Sequence, residues 1–397
     1  MSTTVDPTHL PTFPLGRRRF DPPAEFAGLP PISPIRLPSG AAGWAVTALA
    51  PARALLADPR LSADRTKAEL PVAELNERFQ GPVPPGMFLL MDDPDHAHYR
   101  KMLTGQFTVR RMQALEARVE EIVTERLDAL AAAGSPGDLV AEFALPVPSL
   151  VICELLGVPY ERRAEFQHTT KTLLSVDATP EQLTEARQQV GEFMADLVAG
   201  KRARPDDAVI SGLIAGYDLT DAELINISML LLIAGHETTA NMLSLGTFTL
   251  LQNPEQMRLL REQPELMPTA VEELLRYLSI VASFGLPRTA TSDIEIDGVR
   301  IGAGQTVLIS LPAVNRDPHL AEDPDTLDIT RPRTSHVAFG HGIHQCLGQQ
   351  LARTEMKIGY RQLLDRFPTL ALACDPQDVP LRTDMTIYGA HALPVRW

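Results

Sequence analysis

Between positions 224 and 233 almost every residue is apolar, whichever face of a helix is considered, and a 3.6-residue period extends around that run from 221 to 251. A helix that is apolar all round is one enclosed by other helices. Patterns with a single apolar face predict further helices over 50–57, 95–103, 109–133, 146–156, 160–174, 180–200, 254–262, 267–278 and 347–367. Pro368 stops the last of these. Alternation near 43–47, 294–299 and 306–310 predicts short strands. Helices dominate and the strands are few, so the expected fold class is mainly α (α+β), a helical body with one peripheral sheet region.

Composition narrows this further. A chain of 397 residues would ordinarily suggest two or three domains. No Gly/Ser linker, charge block or internal repeat divides it, so a single domain over 1–397 is expected, with residues 1–38 as a proline-rich, extended collar. Cys153, Cys346 and Cys374 are odd in number and widely spaced, which argues against a disulfide framework. The formal charge of −14 argues against nucleic-acid binding. Residues 1–14 lack an apolar core segment, and the apolar run 229–235 is too short to span a bilayer. A soluble, cytoplasmic monomer is expected.

Two places break the local rules, and both carry chemistry. The run Phe339-Gly340-His341-Gly342-Ile343-His344-Gln345-Cys346-Leu347-Gly348 sets one cysteine in a glycine-punctuated turn just ahead of the last helical pattern. Thiolates ligate metals, and a helix N-terminus favours that form. Gly340, Gly342 and Gly348 permit turn conformations and the close approach of something bulky and flat. The alternatives are a buried cysteine acting as a small hydrophobe, or a zinc site from His341, His344 and Cys346, which lacks a fourth ligand at suitable spacing.

The second place is mid-helix, where Ala234-Gly235-His236-Glu237-Thr238-Thr239 follows the apolar run. A mid-helix glycine costs about 1 kcal/mol against alanine, and a buried carboxylate is avoided unless paired or wet. The Thr238 hydroxyl is placed to bond the Ala234 carbonyl and bend the helix. A helix break capped by Thr238 or Thr239 is the plainer reading, but the period continues through Met242 and Leu243. The cluster suggests a groove and a proton path. His236 is read as hydrogen-bonded structure.

The cysteine run, Phe-Gly-x-Gly-x-His-x-Cys-x-Gly, resembles the haem-binding loop of the cytochrome P-450 (haem-thiolate) monooxygenases at every fixed position. The resemblance implies a triangular helical body with a small peripheral β-sheet region, and haem b as cofactor. Cys346 is then the proximal axial ligand that favours O–O cleavage, with Phe339, Gly340 and Gly348 around it. The mid-helix cluster resembles the family's Ala/Gly-Gly-x-Asp/Glu-Thr-Thr/Ser. This gives Glu237 and Thr238 the delivery of protons to dioxygen, and Ala234 and Gly235 the room for it. Glu273-Leu274-Leu275-Arg276 matches the family's structural Glu-x-x-Arg pair, with Arg331 or Arg333 as its further partner. As a surface pair it would contribute under about 1 kcal/mol.

His96 and Arg100, four apart on one helix face, match the family's propionate-facing residues, as do Arg288 and His344. Each is otherwise an ordinary surface cation. Resemblance also places a substrate pocket at Met87, Phe88, Leu89, Leu173, Leu174, Leu231, Val281, Phe284 and Ile387. These are apolar, which suits a bulky hydrophobic secondary metabolite such as a macrolide, polyketide, terpenoid or steroid; plain core is the alternative. The likeness covers roughly residues 30–397 and is nearest to soluble actinobacterial members. No flavin or nicotinamide motif is present, so a ferredoxin and ferredoxin reductase are implied as electron donors. Arg100, Lys101, Arg110, Arg111 and Arg353 form either a docking patch for that acidic partner or a solvated face. The expected reaction inserts one atom of O2 into a C–H or C=C bond. A peroxide-driven oxygenase, or a non-enzymatic haem-binding or gas-sensing module, are the rivals. Both have less need of the acid–threonine pair.

Overall fold

In the computed structural model, residues 9–14, 16–37, 39–70, 76, 81–281 and 286–397 are described. The helices are α1 (Leu49–Leu56), α2 (Asp95–Thr104), α3 (Val109–Ala133), α4 (Pro146–Leu156), α5 (Arg163–Leu174), α6 (Pro180–Ala203), α7 (Val209–Gly216), α8 (Asp221–Gln252), α9 (Pro254–Glu262), α10 (Met267–Leu278), α11 (Leu311–Val314) and α12 (Gln349–Arg366). Sequence periodicity anticipates all of these but α7 and α11. α11 is a single turn, too short for a face to repeat, and α7 carries two glycines that weaken its helical pattern. The pattern from 160 begins as a 3-10 turn and becomes α-helical at Arg163.

The main sheet has the order β1 (Ile32–Arg36), β2 (Ala42–Val46), β8 (Thr306–Ile309), β5 (Leu286–Ala290), β3 (Leu61–Ser62). Only β2 and β8 run parallel. The expected collar therefore ends as an edge strand, where Pro34 is tolerated because an edge needs fewer N–H donors. The strand expected at 294–299 is instead a hairpin, β6 (Ile294–Ile296) and β7 (Val299–Ile301). Asp297 (φ 50°) and Gly298 (φ 77°) turn it, a dipeptide suited to tight hairpins. β4 (Gly137–Asp138), β9 (Ala371–Leu372) and β10 (Pro394–Arg396) form a small separate sheet.

α8 runs through the helical body and packs against α4, α6, α7, α9, α10 and α12. Its start is a capping box: the Thr220 side chain accepts from the Glu223 N–H, and the Glu223 carboxylate accepts from the Thr220 N–H. Gly246 lets α12 approach, since a Cβ there would lie 2.0 Å from the Tyr360 hydroxyl. That hydroxyl donates to the Met242 carbonyl.

The irregular chain between α11 and α12 is held by α10. Arg276 is fully buried and grips Glu273 with two hydrogen bonds of 2.8 Å. Its remaining donors reach the carbonyls of Asn315, Pro324 and Thr326 at 3.0, 2.7 and 3.3 Å. Glu273 also accepts from Arg331 (3.2 Å) and the Asp328 N–H (3.1 Å), so its further partner is Arg331. Arg333 lies instead near Glu272, at 3.4 Å. Glu272 is clamped by Arg353 and by His336 at 3.3 Å. The pair is thus a buried junction, not the surface pair its spacing alone would suggest.

Replacing Arg276 with lysine keeps the charge but loses the fork, leaving Glu273 and three carbonyls short of donors. R276K should lose about 3 kcal/mol of stability or more, read from denaturant unfolding. Burial raises the Glu272 carboxyl, but His336 and Arg353 outweigh it and hold the group at about 2. Because the folded value is depressed, this stabilisation is complete above the ordinary carboxyl value of 4.5 and fades as pH falls toward 2. E272Q should therefore be less stable than the parent at neutral pH and match it more closely in acid, measured by urea titration at both.

Candidate active site

The cysteine loop is built from backbone hydrogen bonds and two left-handed glycines. The Gly340 N–H donates to Val337 O at 2.8 Å, the Gln345 N–H to Gly342 O at 3.1 Å, and the Cys346 N–H to Phe339 O at 2.9 Å. Gly342 (φ 73°) also abuts α1, where a Cβ would sit 2.3 Å from the Leu56 carbonyl oxygen. The Val337 N–H donates to the Asn315 side chain at 2.8 Å, tying the loop to the Arg276 junction. Arg353 stacks 4.6 Å from the centre of the Phe339 ring. α12 starts at Gln349, and its N-cap residue, Gly348, offers its N–H to the Cys346 sulfur. Burial still pushes the thiol up, against the pull of that N–H and of Arg100 and Arg353. Among the described residues no trio of His, Cys, Asp or Glu converges as a metal site, which removes the zinc alternative.

One turn of α8 departs from the burial of the rest of the helix. Ala234 is exposed and Thr238 half-buried, although the flanking positions 236, 237, 239 and 240 are buried. The Thr238 hydroxyl donates to Ala234 O at 2.8 Å, as its spacing predicts. Gly235 does something else: a Cβ there would lie 2.6 Å from Ile152 Cδ1, so its missing side chain makes room for α4, not for dioxygen. Glu237 is buried and ion-paired with Arg382 at 2.8 Å, a partner the sequence did not reveal. His236 is hydrogen-bonded structure, through the Leu232 carbonyl (2.7 Å) and Thr170 (3.2 Å).

Cations crowd together beside Cys346. The rings of His96 and His344 lie 4.2 Å apart. Arg100 donates to Gln345 O at 2.6 Å, beside Cys346. Arg288 is buried, and burial followed by the neighbouring Arg65 lowers it to about 10. Burial, then His96 and Arg288, drives His344 down to about 3. The His96 Nε2 is buried with no hydrogen-bond partner among the described residues. Side chains that depress one another's charge, with an orphaned ring nitrogen among them, form a place made for an anion. That fits the two carboxylates of a haem. Arg65 was missed; it lies beyond the helix-borne cations, and no spacing rule connects it to Arg288.

The expected pocket residues divide. Val281 bridges Ile387, and the Thr386 N–H donates to Leu174 O at 3.0 Å, so three segments distant in sequence meet. Met87 is partly buried against the main core, and Leu89 is 42% exposed. Phe88 and Leu231 are buried in the core at 6% and 8% exposure, while Phe284 lies outside the described residues. The expected basic patch divides too. Arg353 is engaged by Glu272, Arg100 faces the cysteine, and Arg111 donates to Gln106 and to the Asp207 carbonyl. Lys101 and Arg110 are exposed. Among the described residues no helix is long and apolar enough to cross a membrane.

A sequence model of the family Cytochrome P450 matches residues 178–389. The chain is 46% identical over 382 residues to Cytochrome P450-SU2 of Streptomyces griseolus, covering 95% of this chain and 94% of that one. It is 46% identical over 386 residues to pentalenic acid synthase of Streptomyces avermitilis, covering 95% of each. In three dimensions it matches CYP105P1 in complex with filipin I at a TM-score of 0.92 and 43% identity, covering 98% of this chain and 99% of that one. Likeness that runs through nearly the whole of each chain, well beyond the cysteine loop, makes this protein a member of the cytochrome P450 family, a haem-dependent monooxygenase of the CYP105 kind.

Proposed function

We propose that the protein hydroxylates or epoxidises a bulky, hydrophobic secondary metabolite, with Cys346 as the thiolate ligand of haem iron. The observation that supports this reading is the gathering of His96, Arg100, Arg288 and His344 around one another beside the Cys346 loop. His96, Arg100, Arg288 and His344 would hold the propionates. Haem, when bound, supplies the activation of dioxygen; the protein supplies binding, orientation and protons.

Within that division, Thr238 exchanges its hydrogen bond with Ala234 O for one to a proton acceptor beside α8. Glu237, one residue earlier, resupplies the proton. The contact of Val281 with Ile387, and the link from Thr386 to Leu174, bring apolar residues from three segments together. That suits an apolar ligand. The relatives agree in kind: one is named for pentalenic acid and one was solved with filipin I. Electrons are expected from a ferredoxin and its reductase, with exposed Lys101 and Arg110 as attractive charges on the α2–α3 side.

Two measurements test this reading. The dithionite-reduced protein under carbon monoxide should give the strongly red-shifted Soret band of thiolate-ligated haem, and Cys346→Ser should abolish it. A band typical of histidine ligation in the parent would refute the role of Cys346. Thr238→Ala should keep normal haem content yet divert NAD(P)H consumption into hydrogen peroxide, with coupling to product down by roughly tenfold or more. Undiminished coupling would overturn the proton role and favour a peroxide-driven reaction.

A further inference from the structure

We propose that Arg17, in the N-terminal segment ahead of β1, is a positioning residue for the substrate pocket. It fixes the junction where the chain leaving α10 meets the C-terminal turn, and through that junction it sets Val281 and Ile387. The inference rests on the pocket reading given above and adds what holds that pocket in shape.

The junction is made of two irregular stretches. α10 ends at Leu278, and Ser279 after it is left-handed (φ 42°). A residue with a Cβ keeps that conformation only where its surroundings hold it. The next two residues pair with the C-terminal turn. The Tyr388 N–H donates to Ile280 O at 3.0 Å, and Val281 forms an isolated β-bridge with Ile387. Such a bridge has no sheet behind it, so its register depends on what grips the two chains. Arg17 grips both. Its Nη2 donates to Leu278 O at 2.7 Å and its Nη1 to Ser279 O at 3.2 Å, carbonyls that the end of α10 leaves without helical donors. The same guanidinium lies over the buried Tyr388 ring, 4.5 Å from its centre. Burial lowers Arg17 to about 10, so it is still a cation at neutral pH.

Arg17 is itself held from the other side. Its Nη2 also donates to Phe20 O at 3.0 Å. Arg316 Nη2 reaches the same carbonyl at 3.4 Å and the Asp21 carboxylate at 3.2 Å. The Phe20 ring packs edge-on against Phe248 of α8, with centres 5.0 Å apart. Arg18 and Asp21 exchange backbone hydrogen bonds of 3.3 and 3.0 Å around Arg19, whose φ of 57° closes the turn. The N-terminal segment is thus a folded corner docked on α8 and α10. From it Arg17 reaches across 261 and 262 positions to the junction. Its Nε is buried without a hydrogen-bond partner among the described residues. A desolvated guanidinium with an unused donor gains little over an apolar side chain of its size in stability alone. What it supplies is direction: one planar group sets two carbonyls and one ring relative to each other.

The test uses the haem-loaded enzyme, each variant checked for its carbon monoxide band, and two ligands whose azole nitrogen binds iron and shifts the Soret band. Imidazole is small and needs only the iron. Clotrimazole adds a bulky trityl group that an apolar pocket must accommodate. R17M keeps the length of the side chain and loses its charge. It should weaken clotrimazole about fivefold or more and leave imidazole unchanged. R17K, which can still cover Tyr388 and bond one carbonyl, should recover part of the loss. I387A should weaken clotrimazole by itself, and adding R17M to I387A should cost less than R17M does in the parent; an equal loss in both backgrounds counts against the inference. A role in stability alone would lower the melting temperature and leave both dissociation constants where they are. If I387A weakens clotrimazole while R17M does not, or if R17M weakens both ligands alike, the inference is overturned and the pocket reading stands. If neither I387A nor V281A changes clotrimazole binding, the pocket reading falls and the inference with it. Should R17M assemble poorly, Y388L removes the ring beneath the guanidinium and should give the same split between the two ligands. A well-assembled Y388L with unchanged clotrimazole binding overturns the inference.

Discussion

Arg276 has no contact with water, yet every donor of its guanidinium is matched by an oxygen. Such a charge is costly to bury and is stable only where its partners hold still. The partners here are the carbonyls of the irregular chain that leads from α11 to the cysteine loop. Asn315 carries the restraint onward, through its carbonyl to Arg276 and through its side chain to Ser279 and the Val337 N–H. Glu273 shares its other bonds with Arg331 and Asp328, and its neighbour Glu272 clamps Arg353 of α12. The segment from 315 to 346 has almost no regular structure of its own. Its shape is imposed from α10, and the place of Cys346 follows from that.

The long helix α8 is treated differently. Most of its length is enclosed by apolar neighbours, which fix its course, and over one turn it turns polar groups inward. That turn contains an exposed alanine, a hydroxyl bent back on the helix, and a carboxylate with an arginine. The enclosing helices keep the geometry, so the turn can depart from ordinary helix preferences. The cation cluster has the same logic with reversed sign. His96 and Arg100 share one helix, while Arg288 and His344 come from two other segments, and they disfavour one another's charge until an anion joins them.

Much of the site was legible in order along the chain. Cys346 stands in a motif whose glycines and following helix together have few other uses, and the Thr238–Ala234 bond is a local consequence of helical spacing. Even the hairpin at β6 and β7 had its Asp-Gly signal, overlooked because the flanking strands are only three residues each. The role of Gly235 was misread, because a missing side chain does not say which neighbour needs the space; Ile152 does.

The sequence by itself determined the elements whose cause is local: the long helices, their capping boxes, the glycine turn before the cysteine, and the family to which the motifs belong. Tertiary structure alone decided which charges meet. Arg382 finds Glu237 across 145 positions, and Arg331 finds Glu273 across 58. Arg353 looked free for docking until Glu272 engaged it. A charged side chain carries no mark of its partner in the sequence. It is long and its pairing is non-local, so only the packing of the helices and turns that bear the two groups can bring them together.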